Sequence, residues 1–186
     1  MILNMNKIIC LTTIGECSSM SIVGVYAPKN HVHASEMLLS KLISSSSNLS
    51  HMLVQTYADE ESGLALAVIN KEGGSSFLEK STHFIRSNTD DIGVLRQQTS
   101  SGDNRWGNGT LQAAYEQQYF ENSYPTAVVG GYCGATFNRN NATLSLFCDP
   151  LGEESLFWSH NPGDNTLVFS TELEVILRHP STQEEF

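Results

Sequence analysis

Apolar and polar positions alternate most regularly in the last third of the chain. Cys133, Ala135 and Phe137 fall on one face of a strand over 133–137, and Leu144, Leu146 and Cys148 on one face of a strand over 144–148. With the connection centred near Asn140 and Asn141, this pattern sets Cys133 opposite Cys148, two small apolar groups on a buried face. Asn161-Pro162-Gly163-Asp164-Asn165 is a turn between strands over 156–160 and 167–170. Thr171 and Glu174 have capping-box spacing, so a helix carrying Val175, Ile176 and Leu177 is expected to run until Pro180 stops it.

The first half gives shorter signals. A β-rich run over 21–26 ends at Ala27-Pro28. Met37, Leu38 and Leu42 have helical spacing over 33–43, and the serines 44–47 that follow suggest a loop. Strands are predicted over 52–57 and 63–70, with a turn at 59–62. The second, Leu64-Ala65-Leu66-Ala67-Val68-Ile69, is apolar on both faces, as a strand between two layers must be. A strand over 82–86 and a short helix through Ile92, Val94 and Leu95, capped by Asn88 to Asp91, come next. Residues 99–109 suggest a long loop, and 110–120 return to helical spacing. Strands grouped in hairpins with a few helices indicate an α+β layered fold rather than alternating βαβ units.

The size suits one globular domain: 186 residues, 40% hydrophobic and 16% charged. A net charge of -10 provides no basic stripe to neutralise phosphates, so nucleic acid is not an expected partner. The four cysteines, at 10, 17, 133 and 148, form no C-x-x-C pair, and no histidine cluster has zinc spacing, so no metal site is expected. No stretch is long and apolar enough to span a bilayer, and the start has a single lysine before a short apolar run. The expectation is a cytoplasmic protein with no membrane partner, in which Cys133 and Cys148 are both buried and reduced.

The motifs are more specific than the composition. Gly131-Tyr132-Cys133-Gly134-Ala135-Thr136-Phe137 is followed by Leu144-Ser145-Leu146-Phe147-Cys148-Asp149-Pro150-Leu151-Gly152, then by Phe169-Ser170-Thr171-Glu172 and Leu177-Arg178-His179-Pro180. This order resembles the class II glutamine amidotransferase domain of asparagine synthetase-like proteins, where it is written G-x-F-A-F-x-x-W-D, L-x-L-x-R-D-x-x-G and F-A-S-E-x-K-x-L-x-x-H-P. Met20-Ser21-Ile22-Val23-Gly24-Val25-Tyr26 is similar to the opening M-C-G-I-V-G-I-Y with one residue deleted. The resemblance implies a four-layer αββα sandwich of the N-terminal-nucleophile hydrolase type over 20–186, with 1–19 as an N-terminal extension. It also makes Asp149, Gly152 and Glu172 signature positions of the fold, which turn chemistry and capping account for.

The chemistry of that family is not carried over. Active members expose an N-terminal cysteine whose own α-amino group is the general base, a task its near-neutral pKa suits. Here Ser21 stands at that place, inside the chain, and Cys17 and Cys10 are the remaining thiols, each needing removal of a leader. Where the family has an arginine for the substrate carboxylate, this chain has Ser44 to Ser50. Where it has an N-G oxyanion-hole pair, Asn88-Thr89 stands instead, and Asn108-Gly109 lies elsewhere. Two functions are therefore open. One is a glutaminase-inactive scaffold of an ATP-dependent amide-forming enzyme of β-lactam synthetase or lasso-peptide cyclase type. Its partner would be a synthetase domain or separate chain, the sequence ending at Phe186 before any S-G-G-x-D-S loop. ATP and magnesium would belong to that partner, this chain needs no cofactor, and a homo-oligomer is compatible. The other is an active amidohydrolase or amidotransferase after processing to Ser21, Cys17 or Cys10.

Overall fold

The computed structural model describes residues 20–27, 32–46, 52–59, 61–70, 78–86, 92–100, 131–149 and 151–179. They form two antiparallel sheets and two helices. Strands β1 (Met20–Tyr26), β2 (Leu53–Asp59), β3 (Leu64–Asn70), β8 (Phe157–Asn161) and β9 (Thr166–Ser170) make one sheet in the order β2-β3-β1-β9-β8. Strands β4 (Leu78–Arg86), β5 (Ile92–Ser100), β6 (Tyr132–Asn138) and β7 (Thr143–Cys148) make the other in the order β4-β5-β6-β7. Helices α1 (Val32–Ser45) and α2 (Leu173–Leu177) complete the described elements.

The central strands of the first sheet bury both faces. Val23 and Val25 of β1, Ala65, Ala67 and Ile69 of β3, and Val168 of β9 pack against Leu39 and Leu42 of α1 and Val175 and Ile176 of α2. The residues between them in sequence turn the other way: Ile22, Leu64, Leu66, Val68 and Phe169 meet Ile92, Val94, Ala135 and Phe137 of the second sheet. The doubly apolar β3 is thus the strand between layers that its sequence predicts. Each large side chain fully buried here is worth about 1.5–3 kcal/mol. The inter-sheet core includes Phe137, Phe169, Ile22, Leu64, Leu66 and Ile92 among its fully buried members. The Phe169 ring lies flat over β1 because Gly24 leaves the space open; a Cβ there would sit 2.0 Å from Phe169 Cζ.

The hairpin strands, their turns and α1 lie where the sequence pattern puts them, and Cys133 is the register partner of Cys148. Other expectations fail. The helix predicted through Ile92 and Leu95 is strand β5. Ile92 and Val94 are β-branched and two apart, and both join the inter-sheet core, so period-2 burial outweighs the helical spacing. The serine loop begins later than predicted, because α1 continues to Ser45. Ser44 and Ser45 return their hydroxyls to the carbonyls of Lys41 and Leu42, at 3.1 and 3.0 Å, which satisfies both inside the last turn. The capping box is also absent: α2 has Glu172 at its N-cap with no side-chain cap bond. Strand β5 takes Thr99 and Ser100 from the predicted long loop, whose remainder, with the helix expected over 110–120, lies outside the described residues. Among the described residues no helix is long and apolar enough to cross a membrane.

Candidate functional site

Ser21, the nucleophile candidate from sequence, is the second residue of β1 and is fully buried. Its peptide belongs to a central strand, with Ile69 of β3 as its register partner. Its hydroxyl donates to Glu172 Oε1 at 2.6 Å. The reason lies in how β9 leaves the sheet. The β1–β9 ladder stops at the Val23–Ser170 pair, and short polar side chains finish it. The Ile22 N–H donates to Thr171 Oγ1 at 3.0 Å, while Ile22 O accepts from the Ser170 hydroxyl at 2.9 Å and from the Thr171 N–H at 3.1 Å. The Glu172 N–H then donates to Ser170 Oγ at 2.9 Å. Thr171 is therefore held by the strand it crosses rather than by the helix it was expected to cap. Next to this junction the Ser46 hydroxyl donates to Glu174 Oε2 at 3.2 Å, and Arg178 Nη2 donates to Glu174 Oε1 at 2.6 Å. Of the residues singled out from sequence, Ser21 and Glu172 are brought together.

Asp149 and Gly152 belong to a different place, the turn after β7. The Asp149 carboxylate gathers backbone donors: Oδ1 accepts from Leu151 and Glu153, both at 3.0 Å, and Oδ2 from Glu154 at 3.0 Å and Tyr132 at 3.4 Å. Gly152 takes φ +69, a left-handed conformation that glycine reaches without strain. The buried setting of Asp149 opposes its charge, but the four N–H groups outweigh that and hold its carboxyl below the ordinary value. The charged form is thus the folded form's partner. Its contribution is complete above the ordinary aspartate value of about 3.9 and is lost as pH falls through the lower folded value. Asp149→Asn should therefore cost about 2 kcal/mol at neutral pH, read from denaturant midpoints. The difference from the native chain should shrink as pH falls through the lowered folded value of Asp149, below which the native side chain is neutral as well. A cost that does not change with pH would show that the carboxylate charge contributes nothing.

This turn carries a pair the sequence does not announce. Glu154, fixed by its N–H to Asp149, extends its side chain under the loop to Arg96 of β5, with Nε and Oε2 3.1 Å apart and both side chains almost completely buried. Cys133 is the register partner of Arg96 and points to the same face. Burial pushes its thiol up to about 12; Arg96 pulls the other way, and Glu154 adds to the rise. Cys148 does not meet its expectation of burial: on edge strand β7 it is exposed. The Cys133 thiol, so strongly raised, is a poor nucleophile at neutral pH.

Two further polar groupings were also missed in the sequence. Arg139, in the β6–β7 turn, reaches the other sheet, donating to the Tyr57 hydroxyl at 2.8 Å and lying 3.2 Å from Asp59 Oδ2. His179, of the L-R-H-P motif, is buried beside a small pocket of about 210 Å³, also lined by Ser35, Asp164 and Thr166. Burial lowers its pKa from the ordinary value and Asp164 opposes the shift. The motif draws notice to His179 but not to its neighbours, and no signal marks the contacts of Arg139, because each depends on which loops the sheets bring together.

Among the described residues no three His, Cys, Asp or Glu side chains group as a metal site. Cys10, Cys17, Asn88-Thr89 and Asn108-Gly109 lie outside the described residues. Comparison of the chain with protein-family models, with curated proteins and with solved structures finds no match.

Proposed function

We propose that this chain is a glutaminase-inactive, amidotransferase-like scaffold for an ATP-dependent amide-forming enzyme, packing against a synthetase-type domain or chain that binds the ATP and magnesium. The observation that carries the reading is the state of Ser21. Its nitrogen is a peptide N–H, which is not basic, its side chain is fully buried, and its hydroxyl is engaged by Glu172. A nucleophile needs access, a base and an oxyanion hole around one reacting carbon. The Ser21 environment instead completes a strand junction. The fold we infer is the four-layer αββα sandwich. Helices cover one outer face of the two-sheet stack, and the burial of Leu95, Tyr132 and Thr136 supports a covering layer on the other. A cytoplasmic location is part of the same reading.

The test is incubation of the purified chain with glutamine. Loss of one oxyanion donor alone costs about 10²–10³ in rate, and here the free α-amino base and an arginine at the matching place in the sequence are lacking as well, so no glutamate should appear above a blank. Release of glutamate that disappears in Ser21→Ala would overturn the scaffold reading.

A second reading has one observation in its favour. The Glu172 carboxylate, 2.6 Å from Ser21 Oγ, is an acceptor in reach of the hydroxyl proton. If processing to Ser21 exposes this pair, the chain is an amidohydrolase or amidotransferase. The intact mass of the native protein separates the two, since the second reading requires a chain that begins at Ser21 or, with a thiol nucleophile, at Cys17 or Cys10.

A further inference from the structure

Cys133 and Cys148 are register partners in the β6–β7 ladder, and both are free thiols. The next pair along, Tyr132 and Asp149, is closed by a bond from the Asp149 N–H to Tyr132 O at 2.8 Å. Directly opposed residues on antiparallel strands alternate between hydrogen-bonded and non-hydrogen-bonded pairs. The cysteines therefore form a non-hydrogen-bonded pair, the kind that brings side chains closest, with Cα atoms about 4.5 Å apart. A disulfide spans Cα separations of about 4.4–6.8 Å. The register also places both side chains on the same face of the sheet.

The surroundings of the two thiols differ. Cys148 faces solvent on an edge strand, whereas Cys133 is sealed beneath the loop that Asp149 organises, its Sγ 3.8 Å from the Ser155 carbonyl oxygen. One thiol can meet a reagent and the other can meet only its neighbour. We propose that Cys133 and Cys148 are a redox-active dithiol that closes into a cross-strand disulfide when the protein encounters a small-molecule disulfide.

The exchange has two steps. Partial burial and the Asp149 carboxylate raise the Cys148 thiol from its ordinary value, so it reacts through a minor thiolate fraction. That thiolate attacks one sulfur of the reagent, forming a mixed disulfide and releasing one small thiolate. The Cys133 sulfur then displaces the second small thiolate from Cys148, and the departing thiolate takes the Cys133 proton. Two protein thiols are oxidised, and the reagent disulfide is reduced to two thiols. The high pKa of Cys133 slows the second step, and its fixed position against Cys148 offsets this through proximity. Closure removes the thiol hydrogen that Cys133 directs at Ser155 O, so the redox state bears on the loop carrying Glu154.

The experiment treats the native full chain with oxidised glutathione near pH 8, quenches with acid, alkylates the remaining thiols and maps the digested peptides by mass. The expected result is a crosslink joining the peptides that contain Cys133 and Cys148, undone by reductant. Cys133→Ser should accumulate a stable glutathione adduct on Cys148, and Cys148→Ser should leave Cys133 available to alkylation only after unfolding. The proposal is overturned if the native chain accumulates the Cys148 adduct with no crosslink, if Cys133 joins Cys10 or Cys17 instead, or if Cys133 in folded Cys148→Ser takes up glutathione directly. The mapping of the native chain stands without the variants.

Discussion

Replacing Arg96 by methionine should lower stability by about 3–5 kcal/mol, the range for removing one partner of a buried ion pair. Native domains of this kind hold only about 5–15 kcal/mol in total, so the variant should unfold at a much lower urea concentration. The cause is not the loss of attraction but the isolation of Glu154, a carboxylate almost completely buried opposite the guanidinium. A second substitution tests this. Arg96→Met with Glu154→Leu removes both charges and keeps most of the volume, and such exchanges are often neutral or stabilising. The double variant should therefore be more stable than the single one. If the two unfold at the same denaturant concentration, the burial of an unpaired charge is not what destabilises Arg96→Met.

Gly24→Val should cost about 3 kcal/mol, the upper part of the range for overpacking a filled core. Local preference points the other way, since glycine in a strand interior is worth roughly 0.5–1 kcal/mol less than alanine and valine favours strands. The clash decides the sign. A Cβ at this position comes within 2.0 Å of Phe169 Cζ and 2.5 Å of both Cε atoms, and Phe169 is fully buried. Phe169→Leu in the same chain should recover part of the loss. The coupling between the two sites is expected at about 0.5–3 kcal/mol and is measurable as a double-mutant cycle. Strictly additive losses would mean that the ring does not lie over β1.

The elements whose pattern was strong were readable in advance. Cys133 opposite Cys148, the doubly apolar β3 and the turns at 140–141 and 162–165 each follow from period-2 burial or from turn residues that admit few conformations. Strand β5 was not readable, because Ile92-Gly93-Val94-Leu95 has apolar residues at both periods and only the sheet on either side of it decides. The site residues divide along the same line. Asp149 and Gly152 act within one turn, so their spacing is informative. The Ser21–Glu172 bond joins residues 151 apart in sequence, and Arg96–Glu154 depends on a loop laid across a neighbouring strand. Neither has a local signature, and charge counts do not separate buried carboxylates from solvated ones.

The junction of β1 with β9 also sets the order in which the chain can fold. Strand β1 holds the middle of its sheet, yet one of its two neighbours is β9 and the bonds that finish their ladder span 148 to 151 residues. During synthesis β1 can pair early with β3, but its other edge stays open until almost the whole described chain has been made. Closing a loop of that size comes late and is slow, as in other folds rich in non-local strand pairs. Until then the inter-sheet face of β1 and β3 has no Phe169 to cover it, and an exposed apolar edge of this kind invites aggregation. The hydroxyls of Ser170 and Thr171 thus act as the final clasp of the sheet. Variants that weaken them should show first as poor yield of folded protein, before any loss is seen in the molecules that do fold.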